Sequence, residues 1–212
     1  MILTMRIDSL KTTPDRAGRH WVAFSDGTKL GLYRQTVEDF GLYTGMELTD
    51  AQMEKLLEAA GRMSAKMRAV RIVSAANVSR RDLEERLVRK GEDPRQAKEA
   101  VQWMEDLHLV DDRNTAEQVV HSCISKGYGL ARAKQALYEK RIPKTYWEEA
   151  LAEYPQQLDR IESFLRSRLD RDSDAKQIKK AIDALIRRGH SYGTIRRVLN
   201  ELSFDAEDYF EE

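Results

Sequence analysis

The chain has 212 residues, 41% of them apolar and 34% charged, and its 36 Lys and Arg balance its 36 Asp and Glu. That length supports a real core and one to three small domains, while the charge content suits slender helical modules with much surface. The neutral sum excludes a wholesale basic attraction to nucleic acid or membrane, no apolar run approaches the length of a membrane span, and the single cysteine, Cys123, excludes an intramolecular disulfide.

The first 33 residues read as strands. Leu3, Met5 and Ile7 alternate with Thr4, Arg6 and Asp8, the period of a half-buried strand. His20–Phe24 and Lys29–Tyr33 are two further runs, joined through Asp26-Gly27. That dipeptide predicts a type I′ hairpin turn, which needs positive φ at both central residues. Thr36 is expected to cap a short helix through Phe40 that ends near Gly41. Three short strands are marginal alone, so this module should lean on a helix.

From Thr49 the period becomes helical. Thr49 is the expected N-cap of a helix carrying Met53, Leu56, Leu57 and Ala60, continuing through Met63, Met67, Val70 and Val73. Ser79 caps a helix with Leu83, Leu87 and Val88, stopped by Gly91; Asp93-Pro94 starts another with Ala97, Val101 and Met104. Asp111-Asp112 reads as the cap of a helix with Ala116, Val119, Val120 and Ile124, because an acid at a helix start accepts its free amides. Gly127-Tyr128-Gly129 reads as a turn. A helix with Ala133 and Leu137 follows, and Pro143 opens one with Trp147 and Leu151. Beyond Pro155 come a helix with Leu158, Ile161, Phe164, Leu165 and Leu169, one capped by Asp174 with Ile178, Ala181, Ile182 and Leu185, and one capped by Ser191 with Ile195, Val198, Leu199 and Leu202.

Three of these stretches superimpose at intervals of 50 and 48 residues, on Leu87, Leu137 and Leu185. Four residues before the anchors stand Leu83, Ala133 and Ala181; ten after them stand Ala97, Trp147 and Ile195. Lys90, Lys140 and Arg188 follow the anchors by three residues. The fourth place holds Gly91 and Gly189 but Arg141 in the middle copy, which predicts that the central unit turns differently. The predicted organisation is a mainly α protein: an N-terminal β-rich extension over residues 1–48, a linking helix and first three-helix repeat over 49–111, a second repeat over 112–154, a third over 155–205, and an acidic tail over 206–212. A tandem helical array builds an elongated surface rather than a pocket, which favours gripping a macromolecule over chemistry.

No nucleophile, phosphate loop or metal constellation stands out. His20, His108, His121 and His190 are far apart and lack ligand spacing, so no catalytic residue, metal or cofactor is expected. Charge is distributed unevenly. Residues 176–197 hold Lys176, Lys179, Lys180, Arg187, Arg188, Arg196 and Arg197 against one acid, Asp183, with Tyr192 among them. Cations beside an aromatic suit phosphate backbones or acidic protein surfaces. With no run near Ile2–Arg6 long enough for a signal peptide, one cysteine points to a reducing, cytoplasmic setting.

Three segments resemble one family. Arg187-Arg188-Gly189-His190-Ser191-Tyr192-Gly193-Thr194-Ile195 is similar to the Arg-Arg-Gly-Phe-Ser-Tyr-x-x-Ile signature near the end of RecX proteins, with His190 in place of Phe. Leu107-His108-Leu109-Val110-Asp111-Asp112 resembles their Leu-x-x-Gly-Leu-Ile-Asp-Asp segment, with His108 where Gly is common. Ser79-Arg80-Arg81-Asp82-Leu83 through Lys90-Gly91 resembles the start of their first repeat, and Gly41–Leu48 the strand-rich extension of some members. The resemblance spans about Ala65 to Leu202 and implies a curved, elongated array of three three-helix units. It further implies a non-enzymatic cytoplasmic regulator that binds RecA filaments on DNA and inhibits strand exchange, ATP turnover and co-protease activity. A monomer without membrane contact is expected, with partner contacts at Lys176, Lys179, Lys180, Arg187, Arg188, Tyr192, Arg196 and Arg197 and weak direct DNA contact as an adjunct. The alternative is a DNA-binding module using helix-turn-helix-like pairs.

Overall fold

A computed structural model describes residues 4–204; the acidic tail expected over 206–212 lies outside them. Strands β1 (Thr4–Leu10), β2 (Arg19–Phe24), β3 (Lys29–Tyr33) and β4 (Glu47–Thr49) form one sheet in the order β3-β2-β1-β4, every neighbouring pair antiparallel. The inward-facing Ile7, Val22, Phe24, Leu32 and Leu48 pack with Leu42 and Leu56 into one core. β4 was not expected. At three residues it is too short to show a period, and it exists because the chain folds back on β1: Gly45 N donates to Ile7 O at 2.8 Å, and Ile7 N to Met46 O at 2.9 Å.

Two local expectations fail here. The β2–β3 turn is not type I′, since Gly27 (φ 84) is its only residue at positive φ. Asp26 accepts the Thr28 amide (2.9 Å) and hydroxyl (2.7 Å), a side-chain turn that lets Asp26 keep negative φ. Thr36 is no cap either. Helix α1 (Arg34–Asp39) starts directly after β3 and buries Thr36 in its middle. Bonds one turn apart, Arg34 to Glu38 and Gln35 to Asp39, hold its exposed side.

Thr49 opens α2 (Asp50–Ala75) through a reciprocal capping box with Gln52. α3 (Arg80–Arg89) is capped by Ser79, whose Oγ accepts the Asp82 amide at 3.2 Å, and α4 (Pro94–Asp106) by Asp93. α2 lies along α4, with Lys66 stacked 5.0 Å over the Trp103 ring. The buried Glu92 carboxylate is held by Ser64 and Arg68 of α2. Helices α5 (Asp112–Ser125), α6 (Leu130–Glu139) and α7 (Trp147–Leu151) follow, then α8 (Leu158–Arg166), α9 (Ala175–Arg187) and α10 (Tyr192–Glu201). α7 is shorter than its counterparts and is preceded by a 3₁₀ turn at Lys144–Tyr146. Pro143 stands where Asp93 and Ser191 cap their helices and offers no side-chain oxygen.

Chain contacts divide the protein into one unit of Met1–Asn77 with Leu83–Val110 and another of Val78–Asp82 with Asp111–Glu212. Among its described residues the second unit has two apolar clusters. One joins Ala116, Val120, Leu137 and Ile142; the other joins Ile161, Leu165, Ile178, Leu185, Ile195 and Leu199.

The repeat survives at atomic detail. Leu87, Leu137 and Leu185 are fully buried, and each carbonyl accepts the amide five residues on: Glu92 (3.1 Å), Ile142 (3.1 Å) and His190 (3.2 Å). The residue before each donor is left-handed: Gly91 (φ 90), Arg141 (φ 57) and Gly189 (φ 87). This is the Schellman stop. The central unit therefore does not turn differently. The two amide bonds of the stop outweigh the roughly 1–2 kcal/mol that a Cβ costs in this conformation. His108, at φ 55, closes α4 in the same way, with Leu109 N donating to Met104 O at 2.9 Å. The side chain is exposed, so His108→Gly should raise stability by about 0.5–1 kcal/mol. A urea midpoint at or below that of the parent would contradict this reading of the turn.

Candidate partner-binding site

α9 forms because Asp174 and Gln177 make a capping box, with 2.7 Å bonds in both directions. Ile178, Ala181, Ile182 and Leu185 face the core. Lys176, Lys179, Lys180, Asp183 and Arg187 are consequently exposed along one stripe at helical spacing. Arg187 also sits in the last turn, where a cation favours the carbonyl end of the helix. On α10, Ser191 caps the amide of Thr194 at 3.2 Å, while Ile195, Val198 and Leu199 are buried. That turns Tyr192, 58% exposed, outward with Arg196 and Arg197. Tyr192 and Arg196 share a face one turn apart, and Arg197 pairs with Glu201 at 3.0 Å.

Arg188 departs from the expected group. It is half-buried, its guanidinium lies 5.7 Å from the Tyr128 ring centre and 5.6 Å from that of Phe164, and it donates to Lys126 O at 3.2 Å. This arginine belongs to a joint within the second unit rather than to the exposed stripe.

That joint is the Gly127-Tyr128-Gly129 turn. It is a turn, as expected, but its carbonyls and that of Ile124 in the last turn of α5 are also claimed by side chains from further along the chain. Gln157 donates to Ile124 O (2.9 Å), His190 Nε2 to Gly127 O (3.1 Å) and the Tyr154 hydroxyl to Tyr128 O (2.7 Å). In return Gly129 N donates to Arg188 O (2.9 Å) and Ala131 N to Gly189 O (3.2 Å). Sequence reasoning missed this pairing. Its only trace is a glycine at each of two turns, and nothing local says that they meet.

His190 is 6% exposed. A carbonyl only accepts, so His190 Nε2 carries a proton and donates it to Gly127 O. Burial pushes its pKa below the ordinary 6.5, against the smaller opposing effect of the Gly127 bond. The unfolded chain thus takes up the proton first. The stabilising contribution is complete above about pH 6.5 and is lost as pH falls from there through the lower folded-state pKa. Thermal midpoints at pH 7.5 and 5.5 should therefore differ more for the parent than for His190→Phe; equal differences would remove His190 from the account.

Other polar residues have structural duties. Asp111 caps α5 through the amides of Arg113 and Asn114, and the buried Asp112 accepts the Arg80 amide at the start of α3 at 2.8 Å. Burial raises the Cys123 thiol pKa, which keeps it protonated and unreactive. Among the described residues, no three His, Cys, Asp or Glu side chains are grouped to hold a metal, and no helix is long and apolar enough to cross a membrane.

Comparison with known proteins gives a consistent answer. A family model described as RecX, second three-helix domain, matches residues 111–151. Regulatory protein RecX of Clostridioides difficile strain 630 is 26% identical over 219 residues, covering 98% of this chain and 100% of that protein. Its namesake from Vibrio parahaemolyticus is 28% identical over 149 residues, covering 69% of this chain and 94% of that one. A crystal structure of regulatory protein RecX superimposes with a TM-score of 0.63 at 18% identity, over 92% of this chain and 99% of the other. RecX from Lactobacillus salivarius gives 0.60 at 24% identity, over 68% and 98%. A helical fold shared along most of its length, a matching second three-helix domain and relatives of one name agree with the motifs around Ser79, Leu107 and Arg187: along most of its length the chain is similar to RecX proteins.

Proposed function

We propose that this protein is a non-enzymatic regulator of the RecA recombinase, lying along the RecA–DNA filament and inhibiting strand exchange, ATP turnover and co-protease activity. The observation that carries the reading is the exposed stripe of Lys176, Lys179, Lys180 and Arg187 on α9, with Tyr192 and Arg196 outward on α10. The similarity to RecX proteins suggests the partner, and the stripe supplies a face suited to an acidic protein surface beside a phosphate backbone. The mechanism is occupancy. Helical units laid across successive filament subunits block access to the second DNA and bias the filament towards disassembly. The three three-helix repeats over 49–111, 112–154 and 155–205 share a scaffold but not charge, so each meets a different part of its partner.

Co-sedimentation with preformed RecA filaments on single-stranded DNA tests this directly. The chain should pellet with filaments in saturable fashion and stay in solution with RecA or DNA removed from the mixture. Equal pelleting with and without RecA would favour a direct DNA-binding module instead, and no pelleting at all would refute both.

A further inference from the structure

A second cationic site lies apart from the α9–α10 stripe. A cleft of about 220 Å³ opens between the α5–α6 turn and α8, lined by Lys126, Arg160, Arg188, Ser163 and Ser167 around Phe164. Among the described residues, no Asp or Glu lines it. The face of α8 that carries Arg160, Ser163, Phe164 and Ser167 is one stripe at i, i+3, i+4 and i+7. The acids of this helix, Asp159 and Glu162, lie off that stripe, and Glu162 is already paired with Arg166 at 2.8 Å.

Packing places two of these cations, Arg160 by its stem and Arg188 by its guanidinium. The stem of Arg160 lies along Gly127, with its Cγ 3.4 Å from where a Cβ would stand, an ordinary van der Waals approach. Arg188 rests against Phe164 and Tyr128 and spends one of its five N–H donors on Lys126 O. Phe164 is shared with a second guanidinium, that of Arg168, 4.5 Å from the ring centre. Stacked guanidinia lose little freedom when they take up a ligand, and their fork geometry matches the oxygens of a phosphate.

We propose that this cleft holds one phosphate group of a nucleic-acid backbone, gripped by Arg160, Lys126 and Arg188 with the Ser163 hydroxyl as a neutral donor. A phosphate carries no base identity, so binding is independent of sequence. Three cations lining one cleft, with no acid beside them among the described residues, favour the phosphodiester over a peptide carboxylate. The site goes beyond the filament reading and does not rest on it.

The test uses the whole chain, without RecA, and the fluorescence anisotropy of a labelled thymidine 30-mer across a salt series. The parent should bind at low salt. Lys126→Glu with Arg160→Glu should weaken binding about 10-fold and flatten the slope of log affinity against log salt by about one, with unchanged helix content. Arg160→Lys should keep most of the affinity. An unchanged affinity and slope in the double variant, or no binding by the parent at low salt, would overturn the proposal. Displacement by millimolar inorganic phosphate at matched ionic strength would overturn the backbone as source in favour of a free anion. Displacement by polyglutamate at equal charge would make the partner an acidic protein. RecA is absent throughout, so failure here leaves the filament reading standing, and loss of filament binding leaves this site standing.

Discussion

Gly129→Ala is expected to destabilise the second unit by about 3 kcal/mol, the upper end of what overpacking costs. A methyl group at Gly129 would be driven into the backbone carbonyl of Gly189, far inside contact distance. No side-chain rotation relieves it, because both partners are backbone. The strands of chain would have to separate, breaking the Gly129 N to Arg188 O bond and straining the neighbouring bonds from Ala131 and His190. Gly193→Ala is the control. A Cβ there meets nothing within 4 Å, and the residue lies inside α10, so this change should stabilise by about 0.5 kcal/mol. Urea midpoints of the two variants should move in opposite directions. A Gly129→Ala protein as stable as the parent would mean that the two turns do not touch.

The second large effect concerns binding. Lys179→Glu, Lys180→Glu and Arg187→Glu together reverse the exposed stripe of α9 without touching its core face. Each reversal at an interface rim is worth about 1 kcal/mol, so the triple variant should bind RecA filaments about 100-fold more weakly, with most of the parent's salt dependence gone. Arg188 is deliberately left out of this set, because its removal would disturb the joint at Lys126 and confuse binding with folding. A triple variant of parental affinity would reduce the stripe to solvated surface.

Much of this architecture was legible in the sequence, because it is written locally. Thr49, Ser79, Asp93, Asp111, Asp174 and Ser191 each accept the amides of the helix that they precede, as the identity of the side chain implies. The anchors Leu87, Leu137 and Leu185 are buried, as their period demands. The exposure of Lys176, Lys179, Lys180 and Arg187 follows from the same arithmetic, since the opposite face of α9 is apolar.

What escaped was set by partners distant in sequence or by energies that override residue preference. β4 owes its existence to β1, more than 35 residues earlier by the pairing of Arg6 with Glu47. Arg141 reads as a break in the repeat, yet the carbonyl of Leu137 and the amide of Ile142 impose the same left-handed step that glycine takes elsewhere. Arg188 reads as one more surface cation, and only the fold reveals Tyr128 and Phe164 beside it. His190 stands where the signature that this segment resembles has Phe. The structure gives the imidazole a reason in Gly127 O, an acceptor that no phenyl ring can use.

RecA-catalysed strand exchange, followed together with ATP hydrolysis as this chain is added up to stoichiometric coverage of the filament, tests the central claim most directly. The account predicts that both activities fall in parallel as the filament fills. Undiminished exchange and hydrolysis at full coverage would contradict it.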